Sequence, residues 1–312
     1  MATTPLEVSL ENLGGKYRRT AGAALAVLLV LALGYFAAFE IRMITLPGAQ
    51  EDREAAITLT TNLILEGGQP YTLATSPAVT NVYGIVYNYV VLPAAKLWGA
   101  TFAVHRAASM VFLLAGASLL YWALRRMGTG RGLAFAGAAF YYLFNVCTYA
   151  IVARPDTLGD LIYLAVVFLV TPWPGKAFPS PARLILSAAL GVLAFYTKPY
   201  FLMSLGLATA VLFVTTGWKR AAAYAVLAGA LLVASLPLVN HIWPYYLFSI
   251  VTSHRFSEID VPGYFWLQFK DFLELHAGLL LIVAAVGGIW LRHAIHASRR
   301  ARCSRCRSAG IP

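Results

Sequence analysis

The chain has 312 residues, of which 60% are hydrophobic and only 12% charged, with a mean hydropathy of +0.70. This composition excludes an ordinary soluble domain and predicts an all-α polytopic membrane protein. The net charge of +11 does not signal nucleic acid, because the basic residues are scattered between apolar runs and at the far end, as a topology signal is.

Apolar runs recur at residues 21–39, 83–98, 104–124, 133–151, 158–173, 184–197, 199–216, 221–243 and 277–291. Several are near the ~20 residues that a spanning helix needs. Lys16, Arg18 and Arg19 precede the first run, which no small-residue cleavage site follows, so it reads as an uncleaved signal anchor with residues 1–20 in the cytoplasm. Residues 40–103 then fall outside, and Arg125, Arg126 and Arg131 inside again. Two runs lie between those points, and parity allows only an odd number of crossings. The weaker is 83–98, which contains Tyr83, Tyr87, Asn88, Tyr89, Pro93 and Lys96 and would cover only about 24 Å as a helix. It is expected to lie partly embedded on the outer face without crossing.

This assignment gives about eight transmembrane helices and two cytoplasmic termini in a cell inner (plasma) membrane. It puts 16 of the 24 Lys and Arg inside and 11 of the 13 acids outside or at the outer edge. The domain layout is a cytoplasmic N-terminus (1–20), a transmembrane domain (21–292) whose outer loop 40–103 carries the chemistry, and a basic, low-complexity tail (293–312). The tail is expected to be disordered and suited to anionic headgroups. Cys303-x-x-Cys306 lacks a second pair at zinc spacing, and with Cys147 inside an apolar run there is no disulfide framework.

The residues that could carry chemistry sit on the outer side. Gln50, Glu51, Asp52, Arg53 and Glu54 hold three of the thirteen acids just beyond the first run. Glu51 and Asp52 are the candidate catalytic carboxylates, against the plainer reading of a loop made polar for exit from the membrane. In Arg154-Pro155-Asp156, Pro155 can open a helix with Asp156 at its positively polarised start, and Asp160 shares that helix face. Such a pair could bind a metal or orient a base, or it could merely cap the helix. Lys198, between two apolar runs, can hold a phosphate as a point charge, with Arg154 and Arg255 as bidentate partners, or can simply reach for headgroups. His254 is an acid/base candidate or a solvated loop residue. Tyr71, Tyr83, Tyr87, Tyr89 and Trp98 fit an interface belt or, for Tyr83 and Tyr87, a platform for a sugar or prenyl chain. No Gly-rich phosphate loop, nucleophile elbow or His-Glu-x-x-His is present.

The order of these features resembles the GT-C glycosyltransferases, above all the bacterial glycosyltransferase family 39 group, relatives of protein O-mannosyltransferases and lipid A aminoarabinose transferases. The acidic pair is followed by Glu66-Gly67-Gly68-Gln69-Pro70-Tyr71, Tyr83-Gly84-Ile85-Val86-Tyr87, Leu97-Trp98-Gly99 and Arg106. Ala153-Arg154-Pro155-Asp156-Thr157-Leu158 and Thr197-Lys198-Pro199 complete the series. The resemblance covers roughly residues 20–275 and implies a polyprenyl-phosphate sugar donor and a lipid, glycan or protein acceptor outside the cytoplasm. It places Glu51 and Asp52 on the family's acidic pair, Asp156 on the acid of the second outer turn and Lys198 on the Thr-Lys turn. The pair here reads Glu then Asp, so which one is the base stays open. No cofactor is implied beyond a divalent cation that the carboxylates could hold. Family members usually continue through further spans, so the chain looks short, and its ending carries the mark of a truncated or frame-shifted copy. The alternative, from a different class, is a non-catalytic scaffold or a lipid-carrier flippase on the same fold.

Overall fold

The computed structural model describes residues 5–72, 74, 83–148, 152–173, 178–252, 266 and 270. The chain divides into two compact units, residues 1–253 and 254–312, and in the second only Trp266 and Lys270 are described. The regular elements among the described residues of the first unit are helices: α1 (Pro5–Thr45), α2 (Asp52–Leu65), α3 (Val86–Trp98), α4 (Phe102–Arg126), α5 (Arg131–Thr148), α6 (Asp156–Val170), α7 (Pro181–Thr197), α8 (Met203–Thr216) and α9 (Trp218–Ile242). A 3₁₀ turn, Pro199–Leu202, leads into α8.

Four described segments are long and apolar enough to cross a membrane: Gly22–Thr45, Phe102–Arg126, Pro199–Thr216 and Trp218–Ile242. They mark the chain as a membrane protein. Of the other predicted runs, that at 184–197 falls within the shorter apolar helix α7, and that at 277–291 lies outside the described residues, as does the tail. The 83–98 run forms the 13-residue α3, about 20 Å long at 1.5 Å per residue and so shorter than the ~30 Å hydrocarbon core.

The described connections between α4 and α5, α7 and α8, and α8 and α9 are short, and side-chain contacts fix the register of the helices they join. Ser187 Oγ donates to the Val166 carbonyl and meets the Tyr224 hydroxyl at 2.8 Å, while Tyr196 meets Ser235 at 2.6 Å. These contacts align α7 antiparallel to α6 and parallel to α9. The main core lies between them, built on Leu158, Ile162, Val166, Leu205, Leu212 and Tyr224. Gly159 makes one close approach possible, because a β-carbon there would stand 1.9 Å from the Phe201 ring. With glycine in place, the Pro199–Leu202 turn settles onto the start of α6. On α1, the buried Glu40 accepts a hydrogen bond from the Tyr142 hydroxyl of α5 at 2.7 Å.

The two ends of this helix stack differ in charge. At one end lie the end of α1, the start of α2, the starts of α4 and α6 and the end of α7, with Glu51, Glu54, Arg106, Arg154, Asp156 and Lys198. At the other lie Arg125, Arg126, Arg131, Arg183, Lys219 and Arg220, and the sequence places no acid between residues 161 and 257 or between 67 and 155.

Candidate functional site

The acid end is organised by a buried ion pair. Glu54, in the first turn of α2, and Arg106, one turn into α4, are 0% and 1% exposed at their side chains. Arg106 Nε and Nη2 donate to the two Glu54 oxygens at 2.9 and 2.7 Å. The same guanidinium donates to the carbonyls of Met43, Leu46 and Gly48 at 2.9, 2.8 and 2.7 Å, so all five of its N–H groups are used. A charge this deep is tolerated only when each donor and acceptor is matched. Here the matching bends the chain after α1 around one arginine, helped by Gly48 at φ 77°.

The Glu54 carboxylate does more than close that pair. Its oxygens also accept the Gln50 amide and the Ala153 amide, both at 2.6 Å. Gln50 and Ala153 are the residues immediately before Glu51 and Arg154. One buried carboxylate therefore sets the backbone of both members of the neighbouring pair. Burial pushes the Glu54 carboxyl up, but the hydrogen bonds from Arg106, Ala153 and Gln50 outweigh it and hold the group below the usual carboxylate range.

Glu51 and Arg154 meet in a forked ion pair, with Arg154 Nε donating to one Glu51 oxygen at 2.7 Å and Nη2 to the other. Their side chains are 26% and 18% exposed, so this pair can be reached from outside while the Glu54 pair cannot. Burial alone would lower the Arg154 guanidinium, but its bonds with Glu51 and the fields of Tyr83 and Asp156 hold it firmly protonated. The Arg154 carbonyl accepts from Ser109 Oγ at 3.3 Å, which fastens the turn to α4.

A second charged group lies beside the first. Lys198 Nζ donates to Asp156 Oδ1 at 2.9 Å, and the Tyr200 hydroxyl donates to the same oxygen. The ammonium sits over the rings of Tyr83 and Tyr200, at 4.7 and 4.8 Å from their centroids, in favourable cation–π range. Asp156 Oδ2 is buried with no hydrogen-bond partner among the described residues. Tyr83 is held where it can face both groups by Gly84, whose amide donates to the Thr197 carbonyl at 3.2 Å. A β-carbon on Gly84 would stand 1.9 Å from the Tyr196 carbonyl oxygen, so no other residue permits this contact between the 83–85 segment and the end of α7.

The structure thus brings together Glu51, Tyr83, Arg154, Asp156 and Lys198 of the residues singled out in the sequence. Asp52 opens α2, but its side chain is outside what the structure describes, and His254 and Arg255 lie outside the described residues. Tyr87 requires a correction: it is 1% exposed, donates to the His105 carbonyl at 2.9 Å and touches Ser109, so it packs the core and offers no platform for a substrate. Tyr71 is likewise buried, with its hydroxyl on the Tyr83 carbonyl, whereas Tyr89 and Trp98 are exposed as interface rings are. Sequence reasoning passed over Glu54, Arg106 and Tyr200 as site residues. Glu54 stood in the charged cluster and Tyr200 directly after Lys198-Pro199, but nothing in a linear pattern reports that Glu54 is the buried one.

Among the described residues no three His, Cys, Asp or Glu side chains gather as a metal site would require. No family model, curated protein or solved structure matches the chain.

Proposed function

We propose that the chain is a GT-C-like glycosyltransferase that moves a sugar from a polyprenyl-phosphate donor to an acceptor hydroxyl on the extracytoplasmic face of a cell inner membrane. The observation that carries this reading is the gathering of Glu51–Arg154 and Asp156–Lys198 around Tyr83 at one membrane-edge end of the helices. Two carboxylates and two cations from three separate segments, the start of α2, the Arg154–Asp156 turn and the end of α7, suit a reaction that needs a base and a phosphate clamp together. The reading keeps the eight-span arrangement, with both termini in the cytoplasm and α3 partly embedded.

In the reaction, the acceptor oxygen attacks the anomeric carbon as its proton passes to Glu51 or Asp52, and the bond from that carbon to the phosphate oxygen breaks. The lipid phosphate leaves with the electron pair. Arg154 and Lys198, joined by Arg255 in this reading, stabilise the charge that grows on it, more effectively at a water-poor edge than in bulk solvent. A phosphate that takes Arg154 from Glu51 also frees that carboxylate to act as base. No covalent enzyme intermediate is involved, so the sugar carbon inverts.

The prior neutralisation of Glu51 by Arg154 and Asp156 by Lys198 favours a second reading, a non-catalytic scaffold or lipid-carrier flippase with the same architecture. Membranes containing the chain, incubated with a panel of radiolabelled polyprenyl-phosphate sugars with and without divalent ions, separate the two. Transfer of label to an acceptor, lost in Glu51→Gln, is the expected result; absence of transfer with every donor leaves the scaffold reading standing.

A further inference from the structure

At the end of the helix stack opposite the acid site, α7, α8 and α9 enclose an apolar groove of about 360 Å³. Pro181, Leu184, Leu212, Ala223 and Leu227 form its walls, and Arg220 stands at its rim. The Arg220 guanidinium lies 3.4 Å from the centroid of the Phe178 ring, which fixes the direction of the side chain. Among the described residues neither Arg220 nor its neighbour Lys219 forms an ion pair, and the surrounding stretch from 161 to 257 contains no acid. Trp218, one residue before Lys219, is 65% exposed, and an exposed indole beside a cation suits a headgroup layer.

From this combination we infer that the groove is a site for one anionic phospholipid, with an acyl chain between α7 and α9 and its phosphate on Arg220 and Lys219. A free phosphate would satisfy the cations but leave the groove empty. A zwitterionic lipid would fill the groove but carry a cation of its own toward the basic pair. Two neighbouring cations with no carboxylate partner among the described residues, and the apolar walls below them, match a single molecule that is anionic at one end and apolar at the other.

The test is independent of any transferase activity. The full chain is reconstituted in vesicles of equal phosphatidylglycerol and phosphatidylcholine, extracted, and examined by native mass spectrometry for retained lipid. The expected result is one phosphatidylglycerol retained in preference to phosphatidylcholine, and a roughly fivefold drop in that preference in Arg220→Ala, the worth of one basic residue at an anionic surface. Ala223→Trp, which fills the groove and spares the cations, should lower retention of both lipids, while removal of the exposed Lys96 in Lys96→Ala should change nothing. Equal retention of the two lipids by the unaltered chain overturns the site. So does an equal drop in Lys96→Ala, which would mean bulk charge, or displacement of the lipid by inorganic phosphate alone, which would mean a simple anion site. Arg220 is exposed, and the melting temperature of Arg220→Ala in detergent confirms that any loss is not unfolding.

Discussion

The two ends of the helix stack carry the same kinds of cation in opposite circumstances. At one end Arg106, Arg154 and Lys198 are each matched to a carboxylate. At the other, Arg183 donates to the Phe168 and Thr171 carbonyls, and Arg126 and Arg220 lie over Trp122 and Phe178. The contrast follows from where the few acids fall. A membrane protein keeps acids only where they are used, since a carboxylate at membrane depth is costly, whereas Lys and Arg can reach headgroups on long apolar stems. Among the described residues the carboxylates gather at one end of the stack, and the cations with no carboxylate partner lie at the other.

The bluntest break of this comparison is topological. A reporter fused after Arg126 should read cytoplasmic; if it is exported, the cation end is the outer one and the contrast loses its cause. The next concerns the buried pair. Arg106→Met leaves Glu54 buried and uncompensated, which should cost about 3–5 kcal/mol, read as loss of the folded chain in thermal melts in detergent. Adding Glu54→Leu should not restore stability, because the Gln50 and Ala153 amides would then lose their acceptor. Recovery in the double variant would show that Glu54 serves Arg106 alone and does not set the Glu51–Arg154 pair.

The half-exposed pair should respond in activity and not in stability. Glu51→Gln is expected to lower transfer by about 10²–10⁴-fold, the usual worth of a general base, with the melting temperature little changed. Arg154→Lys keeps the charge but loses the fork, so transfer should fall while Lys198→Ala chiefly raises the donor concentration needed. Unaltered transfer in all three would place the chemistry elsewhere.

Acid tests the buried pair in another way. Glu54 binds a proton less readily folded than unfolded, so its contribution is complete above the unfolded carboxylate value near 4.3 and is lost as pH falls through its lower folded value. Melting temperatures from pH 6 to pH 3 should therefore drop at the acid end of the range, and more weakly in Arg106→Met, where the bonds that depress Glu54 are gone. The smallest effect belongs to the cation end. Arg183→Ala removes two bonds to carbonyls at the end of α6 and should cost about 1 kcal/mol with no change in transfer. A larger loss would make that end structural in the same sense as the Glu54 pair.

How much of this could be read from the chain follows from the range of each interaction. The helices α4 and α9, which match the runs at 104–124 and 221–243, were legible because apolarity over about 20 residues is a local property, and so was the end that collects acids, because the acids cluster in sequence. Arg154 and Asp156 were legible from the turn at Pro155. The roles of Glu51 and Glu54 were not. They stand three residues apart with the same chemistry, and only packing decides that one is 26% exposed and the other fully buried. Glu54 is committed by Arg106, 52 residues on, and by Ala153, 99 residues on. The interface reading of Tyr71 and Tyr87 failed for the same reason: an amphipathic ring is equally suited to a headgroup layer and to a core with a hydroxyl acceptor, and the carbonyls of Tyr83 and His105 supply that acceptor only once the chain is folded. Composition and charge spacing determined the membrane class and the placement of acids, whereas the identity of the buried carboxylate, its partners and the meeting of Arg154, Lys198 and Tyr83 required the tertiary structure, because each depends on backbone groups brought together from distant segments.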